Sequence, residues 1–209
     1  QEGGPAQFFQ LYVSRDRNVV ANMLRRAEEA NVKAIFVTVD APQLGRREQD
    51  MRMHFVDEGS DVQGGHVEKR DEGAARAITS FIDPSFDWDD VLWMKHQTHL
   101  PILLKGVQTW EDAVQAYEMG LAGVVLSNHG GRQLDFARSG VEVLEEVMRE
   151  LRKRGSFPNP AFQVMVDGGF RRGTDILKAI AMGATAVGIG RPFLYAYSAY
   201  GVDGVIHAI

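Results

Sequence analysis

Three segments repeat one design along the chain: Ala30-Asn31-Val32-Lys33-Ala34-Ile35, Met119-Gly120-Leu121-Ala122-Gly123-Val124 and Met182-Gly183-Ala184-Thr185-Ala186-Val187. Each reads as a helix end, a turn residue that tolerates positive φ, and the start of a buried strand. Recurrence of that junction makes the chain an alternation of strand and helix, the pattern of a parallel α/β fold. The apolar runs predict strands at Phe8–Val13, Lys33–Val39, Pro101–Lys105, Gly123–Ser127, Phe162–Val166 and Ala186–Gly190. Helical periodicity lies between them, at Asn18–Ala30, Trp88–His96, Trp110–Met119, Val141–Arg154 and Thr174–Met182. Thr109, ahead of Trp110-Glu111-Asp112, has the chemistry of an N-cap followed by acids that suit the positive end of the helix dipole. Asp87 can cap the preceding helix in the same way.

Followed outward, the repeated strands deliver Asp40, His129 and Arg191 to their carboxyl ends. Parallel strands with reactive residues gathered there describe a (β/α)8 TIM barrel. A doubly wound open sheet is the alternative, but no Gly-x-Gly-x-x-Gly opens a helix after a strand. The chain supplies about six βα units, and a closed barrel has eight strands. The expectation is a partial barrel, one domain over residues 1–209, with leading strands and closing helices lying outside the sequence. Residues 49–81 differ in kind: they are polar and contain Gly64-Gly65 and the mixed run Glu68-Lys69-Arg70-Asp71-Glu72. Such an insertion is either a lid over the barrel mouth or a surface loop. Its oxygen ligands do not follow the spacing of an EF-hand.

Composition excludes several function classes. A chain of 209 residues, 44% of them hydrophobic, can bury a sizeable core. A net charge of −5 gives no footprint for nucleic acid. No apolar run approaches the ~20 residues that span a bilayer, and the polar start Gln1-Glu2-Gly3-Gly4-Pro5 does not read as a signal peptide. The absence of cysteine removes disulfides, thiolate metal sites and a cysteine nucleophile. No spacing of ligands suggests a metal site.

The chemistry concentrates in Ser127-Asn128-His129-Gly130-Gly131-Arg132-Gln133, directly after the apolar run Gly123-Val124-Val125-Leu126. A strand ends there, and a base and a guanidinium emerge together from a glycine-containing loop. Histidine is readily poised to move a proton near neutral pH, and Arg132 can grip a carboxylate through two parallel hydrogen bonds. Asp40, ending another strand, is either a turn residue before Ala41-Pro42 or a partner that orients His129 and stabilises its imidazolium. Two further strand ends, Val166-Asp167-Gly168-Gly169-Phe170-Arg171 and Gly188-Ile189-Gly190-Arg191, combine glycines with arginines. They read as βα turns or, taken as a pair, as a phosphate site. Asp167 is placed for the hydroxyls of a sugar-like chain. Lys105 ends an apolar strand, where it can serve as a fixed cation or form a Schiff base. Gln10 and Tyr12 share one face of the first strand, and Tyr12 can donate to a substrate. Gly45-Arg46-Arg47-Glu48 is a solvated charge run or part of a site.

These motifs together resemble the FMN-dependent L-2-hydroxy-acid oxidases and dehydrogenases. The likeness extends through Gln10-Leu11-Tyr12-Val13, Thr38-Val39-Asp40-Ala41-Pro42, Leu44–Glu48, Lys105-Gly106-Val107, residues 127–133, residues 167–173 and Gly190-Arg191-Pro192. Phe81–Ser85, Gln133–Phe136 and Arg191–Ala196 are similar to the cytochrome-linked L-lactate dehydrogenase branch, the flavocytochrome b class. The resemblance implies oxidation of an L-2-hydroxy acid to the 2-oxo acid, with FMN as cofactor and cytochrome c or oxygen as the electron acceptor. It makes His129 the base, Asp40 its partner, Arg132 the main carboxylate anchor, Tyr12 a substrate contact and Arg47 a second active-site arginine. It places Gln10, Thr38 and Ser127 near the flavin, and Lys105 beside the ring. Asp167 falls at the ribityl chain, and Gly168, Gly169, Arg171, Gly190 and Arg191 at the phosphate. It further implies a homotetramer, in the cytoplasm, the mitochondrial intermembrane space or the peroxisome. The family's leading strands and a haem domain have no counterpart in the sequence. Two other readings stand beside it: a flavin-free phosphate-binding barrel, an aldolase or isomerase using Lys105, and an inactive fragment.

Overall fold

The computed structural model describes residues 5–48, 52 and 81–209. The insertion at residues 49–81, read as a lid or a surface loop, therefore lies outside the described residues, apart from Arg52 and Phe81. The chain divides into two compact units, Gln1–Ile102 and Leu103–Ile209.

In the first unit, strand β1 (Phe8–Tyr12) pairs in parallel with β2 (Ala34–Thr38), setting Tyr12 opposite Thr38. Helix α1 (Arg17–Glu29) connects them. The Asp16 side chain accepts from the Asn18 amide to start it, and Val20, Leu24 and Ala27 line its buried face. After the Ala30 C-cap, Asn31, with a φ of 56°, turns the chain while the Val32 amide returns to the Ala27 carbonyl. Helix α2 (Trp88–Gln97) opens with a capping box between Asp87 and Asp90.

Arg17 gathers the parts of this unit. Its guanidinium donates to the Ser14 carbonyl at 2.6 Å, to Asp83 Oδ2 at 2.7 Å and to Asp90 Oδ1 at 3.0 Å. The Asp83 amide in turn donates to the Val13 carbonyl at 2.8 Å, and Ser14 bridges Ile82 in antiparallel fashion. Residues 82 and 83 are thus fastened at the end of β1, next to Tyr12. Glu28 fixes the far end of α2, accepting from the Thr98 hydroxyl at 2.6 Å and the His99 amide at 2.8 Å.

The second unit runs through β3 (Ile102–Val107), α3 (Trp110–Glu118), β4 (Gly123–Leu126), α4 (Gly140–Lys153), β5 (Gln163–Asp167), α5 (Gly173–Met182), β6 (Ala186–Gly188) and α6 (Arg191–Ala208). Neighbouring strands pair in parallel in chain order, β3 with β4, β4 with β5 and β5 with β6. Gly120 (φ 67°) and Gly183 (φ 119°) occupy the turn position of the repeat, as Asn31 does in the first unit. Val124, Leu126, Val164 and Val166 pack against Val143, Leu144, Val147 and Leu151 of α4, every one of them fully buried. Each such side chain contributes about 1.5–3 kcal/mol by leaving water. Helix and strands approach so closely at Gly140 that a Cβ there would lie 2.4 Å from the Leu126 carbonyl oxygen and 2.7 Å from Val166 Cγ2. This contact sets the start of α4 directly behind the ends of β4 and β5.

The predicted elements all occur, with ends displaced by a residue or two, and Thr109 and Asp87 do cap their helices. Two features differ. Strand β3 runs past Lys105 to Val107, with a register shift at Gly106 (φ 109°). Helix α6 was not expected, because its sequence has no polar face and includes Gly201, where it kinks (φ 63°). None of its residues is buried.

Asp83 offers a test of the first unit. Its hydrogen bonds from Ser85 and the Arg17 guanidinium hold its carboxyl below the ordinary carboxylate range. A depressed folded pKa adds stability above the unfolded value, and that stability disappears as pH falls through the folded one. Asp83→Asn should therefore cost about 2 kcal/mol in urea denaturation at pH 7. The difference from wild type should shrink toward zero as the pH is taken well below 4.

Candidate functional site

In the first unit the expected residues collect at the carboxyl ends of β1 and β2. Gln10 and Tyr12 lie on the same side of β1, since side chains alternate along a strand. Gln10 Nε2 donates to Thr38 Oγ1 at 2.8 Å, linking the two strand ends, and Thr38 is buried. Asp40 and Arg47 follow on the segment leaving β2, both half-buried, and no helix begins at Asp40.

In the second unit the ends of β3, β4 and β5 meet around Ser127, which is wholly buried. Its hydroxyl accepts from the His129 amide at 3.0 Å and lies 3.4 Å from Lys105 Nζ. The same ammonium group is 3.6 Å from Asp167 Oδ2. Lys105 pairs with Val125, which pairs with Met165, so alternation along β4 and β5 puts Lys105, Ser127 and Asp167 on one face of the sheet. The other carboxylate oxygen, Asp167 Oδ1, is buried with no hydrogen-bond partner among the described residues. A buried acceptor of this kind costs about 1–3 kcal/mol, and an arriving donor would relieve it.

His129 has a φ of 59°, in the left-handed region that glycine, with no Cβ, enters freely and other residues enter at a cost. Gly130 and Gly131 continue the same conformation, with φ of 66° and 73°. The turn is secured from both sides. Asn128 Oδ1 accepts from the Gly131 amide at 3.1 Å, and Arg191 Nη2 donates to the Gly130 carbonyl at 2.9 Å. Arg132 comes next, half-buried.

Gly168 and Gly169 (φ 89° and 84°) turn the chain out of β5. At Gly169 and at Gly190 a Cβ would meet nothing within 4 Å, so both backbones border open space. The amides of Arg171 and Arg172 donate to Asp175 Oδ2 at 3.2 and 3.1 Å, which starts α5. The structure thus brings Lys105, Ser127, the His129 backbone and Asp167 into one cluster, with Arg191 tied to it through Gly130. Asn128, Gln108 and Arg138 were not assigned roles from sequence. Asn128 is at the start of a glycine pair, where an Asx side chain often closes a turn, and that signal was available. Gln108 Nε2 donates to the Ser127 carbonyl at 2.7 Å, a contact with no local motif. Among the described residues no cluster of His, Asp and Glu could hold a metal ion, and no helix is long and apolar enough to cross a membrane.

Comparison with known proteins adds to this geometry. The sequence profile of the FMN-dependent dehydrogenases matches residues 1–209. An L-lactate dehydrogenase (cytochrome) of Wickerhamomyces anomalus is 55% identical over 207 residues, which is 99% of this chain and 36% of that protein. Glycolate oxidase of Spinacia oleracea is 47% identical, covering 97% of this chain and 55% of its own length. A mutant flavocytochrome b2 solved with pyruvate bound is 48% identical with a TM-score of 0.83, covering 99% of this chain and 49% of its own. The chain therefore spans between about a third and somewhat over half of these relatives. Its fold is α/β of the (β/α)8 TIM-barrel type, present as a partial barrel of six parallel strands.

The Ser127 cluster is testable in the protein alone. Ser127→Ala removes the acceptor of the His129 amide and a neighbour of Lys105, and should lower unfolding free energy by about 1–3 kcal/mol in urea. An isoenergetic variant would show that the hydroxyl does not hold the turn.

Proposed function

The chain belongs to the FMN-dependent dehydrogenase family, and we propose that it oxidises an L-2-hydroxy acid, L-lactate or a close relative, to the 2-oxo acid. The observation that carries this reading is the convergence of Lys105, Ser127, Asp167 and the His129 backbone amide at the ends of three adjacent strands. We read residues 1–209 as one dehydrogenase domain.

The residues present fit FMN. Asp167 Oδ1, buried and unpartnered among the described residues, suits a ribityl hydroxyl donor. Gly169 and Gly190 border open space and sit beside Arg171 and Arg191, an arrangement of backbone and guanidinium groups that receives a phosphate. Because the Arg171 amide is engaged by Asp175, its side chain carries its part of that role, with Gly168 and Gly169 supplying backbone. Gln10, Thr38 and Ser127 would stand near the flavin, and Lys105 would supply a fixed positive charge beside its ring. When bound, FMN accepts the two electrons that the hydroxy acid gives up.

The remaining work falls to this chain's side chains. Arg132 takes the substrate carboxylate in a two-pronged hydrogen bond, with Tyr12 and Arg47 as further donors. His129 removes one proton, either from Cα or from the hydroxyl; in both cases a C–H and an O–H bond are lost and a C=O bond forms. Asp40 orients the imidazole and stabilises its cation. Lys105, ion-paired with Asp167, acts as a fixed charge, a role that differs from the Schiff-base amine of an aldolase. Relatives named for a cytochrome and for oxidase action support a cytochrome or oxygen as the final acceptor.

His129→Gln in the intact protein tests the assignment. The variant should retain yellow FMN, while the rate at which L-lactate bleaches it falls by about 10²–10⁴. Unchanged bleaching would overturn the role of His129, and absence of flavin absorbance in the wild-type protein would overturn the reading as a whole.

A further inference from the structure

Between Ser127 and Arg138 the chain leaves the sheet, makes the His129 turn, passes Arg132 and exposes Leu134 and Phe136 before α4 begins. A loop with so much surface in water needs fastening if two of its side chains are to keep a fixed geometry. Both of its ends are tied to one residue. Gln108 Nε2 donates to the Ser127 carbonyl at 2.7 Å, and the Gln108 carbonyl accepts from Arg138 Nη2 at 2.7 Å. Arg138 is itself held by α4, through paired bonds of 2.9 Å from Nη1 and Nη2 to the two Glu146 oxygens.

We propose that Gln108 and Arg138 are positioning residues that staple the two ends of the loop carrying His129 and Arg132, with Glu146 as the anchor on α4. The two ends have different duties. The Gln108 side chain fixes the Ser127 peptide, whose hydroxyl receives the His129 amide, so this end governs the base. Arg138 fixes the exit of the loop after Arg132, so that end governs the grip on the substrate carboxylate. The anchoring pair is charge-assisted in both directions: hydrogen bonding to Arg138 holds the Glu146 carboxyl below its ordinary value, and the same bonds raise the Arg138 guanidinium. The duties of the two ends rest on the proposed oxidation of a hydroxy acid; the staple itself does not.

The test compares Gln108→Ala, Arg138→Ala and Arg138→Lys with the intact FMN-loaded protein. Amide hydrogen exchange is the readout independent of turnover. Gln108→Ala should speed exchange at residues 128–131 about tenfold, and Arg138→Ala should do the same at residues 132–138. Exchange elsewhere in the second unit should stay at its wild-type rate, and Arg138→Lys should recover part of the protection. In turnover with L-lactate, Gln108→Ala should lower kcat about tenfold with little change in KM, whereas Arg138→Ala should raise KM with a smaller effect on kcat. Unchanged exchange in the loop, or an equal rise across the whole unit, overturns the staple. Inactivity of wild type and variants alike, with the exchange pattern as expected, overturns the proposed function and leaves the staple standing.

Discussion

The buried hydroxyl and carbonyl of Ser127 are where the functional end of the second unit is held together. A residue with no exposed surface cannot leave its polar atoms unsatisfied without a cost of about 1–3 kcal/mol, so each contact to it is strongly specified. The hydroxyl takes the His129 amide and stands beside Lys105, and the carbonyl takes the Gln108 side chain. One serine therefore relates the end of β3 to the start of the histidine turn. Its place is in turn set by the packing of β4 against α4, where Gly140 allows helix backbone to lie against strand backbone.

Around that fixed point the structure keeps several groups in conditions that folding alone would not select. His129 sits at positive φ, and Asp167 buries an oxygen with no hydrogen-bond partner among the described residues. Lys105 holds its ammonium group 3.6 Å from a carboxylate and mostly out of water. Left-handed backbone at a non-glycine residue costs about 1–2 kcal/mol, and such costs persist where surrounding contacts over-determine the geometry. All three lie at strand ends, on or beside βα loops, while the strand interiors and helix faces behind them are apolar and closely packed. That division of labour is the physical content of a parallel α/β fold: the body supplies stability, and the loops at one end spend part of it.

Much of this was legible in the sequence because it is governed by local chemistry. The helix-end, turn, strand junctions at Asn31, Gly120 and Gly183 fall where positive φ was expected, and the caps at Asp87 and Thr109 depend on side chains within three residues. Parallel order follows from helices intervening between strands. What stayed hidden depends on contacts remote in sequence or on missing periodicity. Helix α6 has no polar face to reveal it. The bulge at Gly106 is a matter of register with β4. Gln108 and Arg138 look like ordinary polar residues until the chain has folded and placed them on the two ends of one loop.

A crystal structure of the intact protein with FMN and pyruvate would test the central claim most directly. The account predicts the phosphate against Gly169, Arg171, Gly190 and Arg191, a ribityl hydroxyl bonded to Asp167 Oδ1, and the ring edge beside Lys105. It further predicts the pyruvate carboxylate on Arg132, with His129 facing its carbonyl carbon. Flavin bound elsewhere, or pyruvate seated away from His129 and Arg132 while Asp167 Oδ1 keeps no partner, would contradict it.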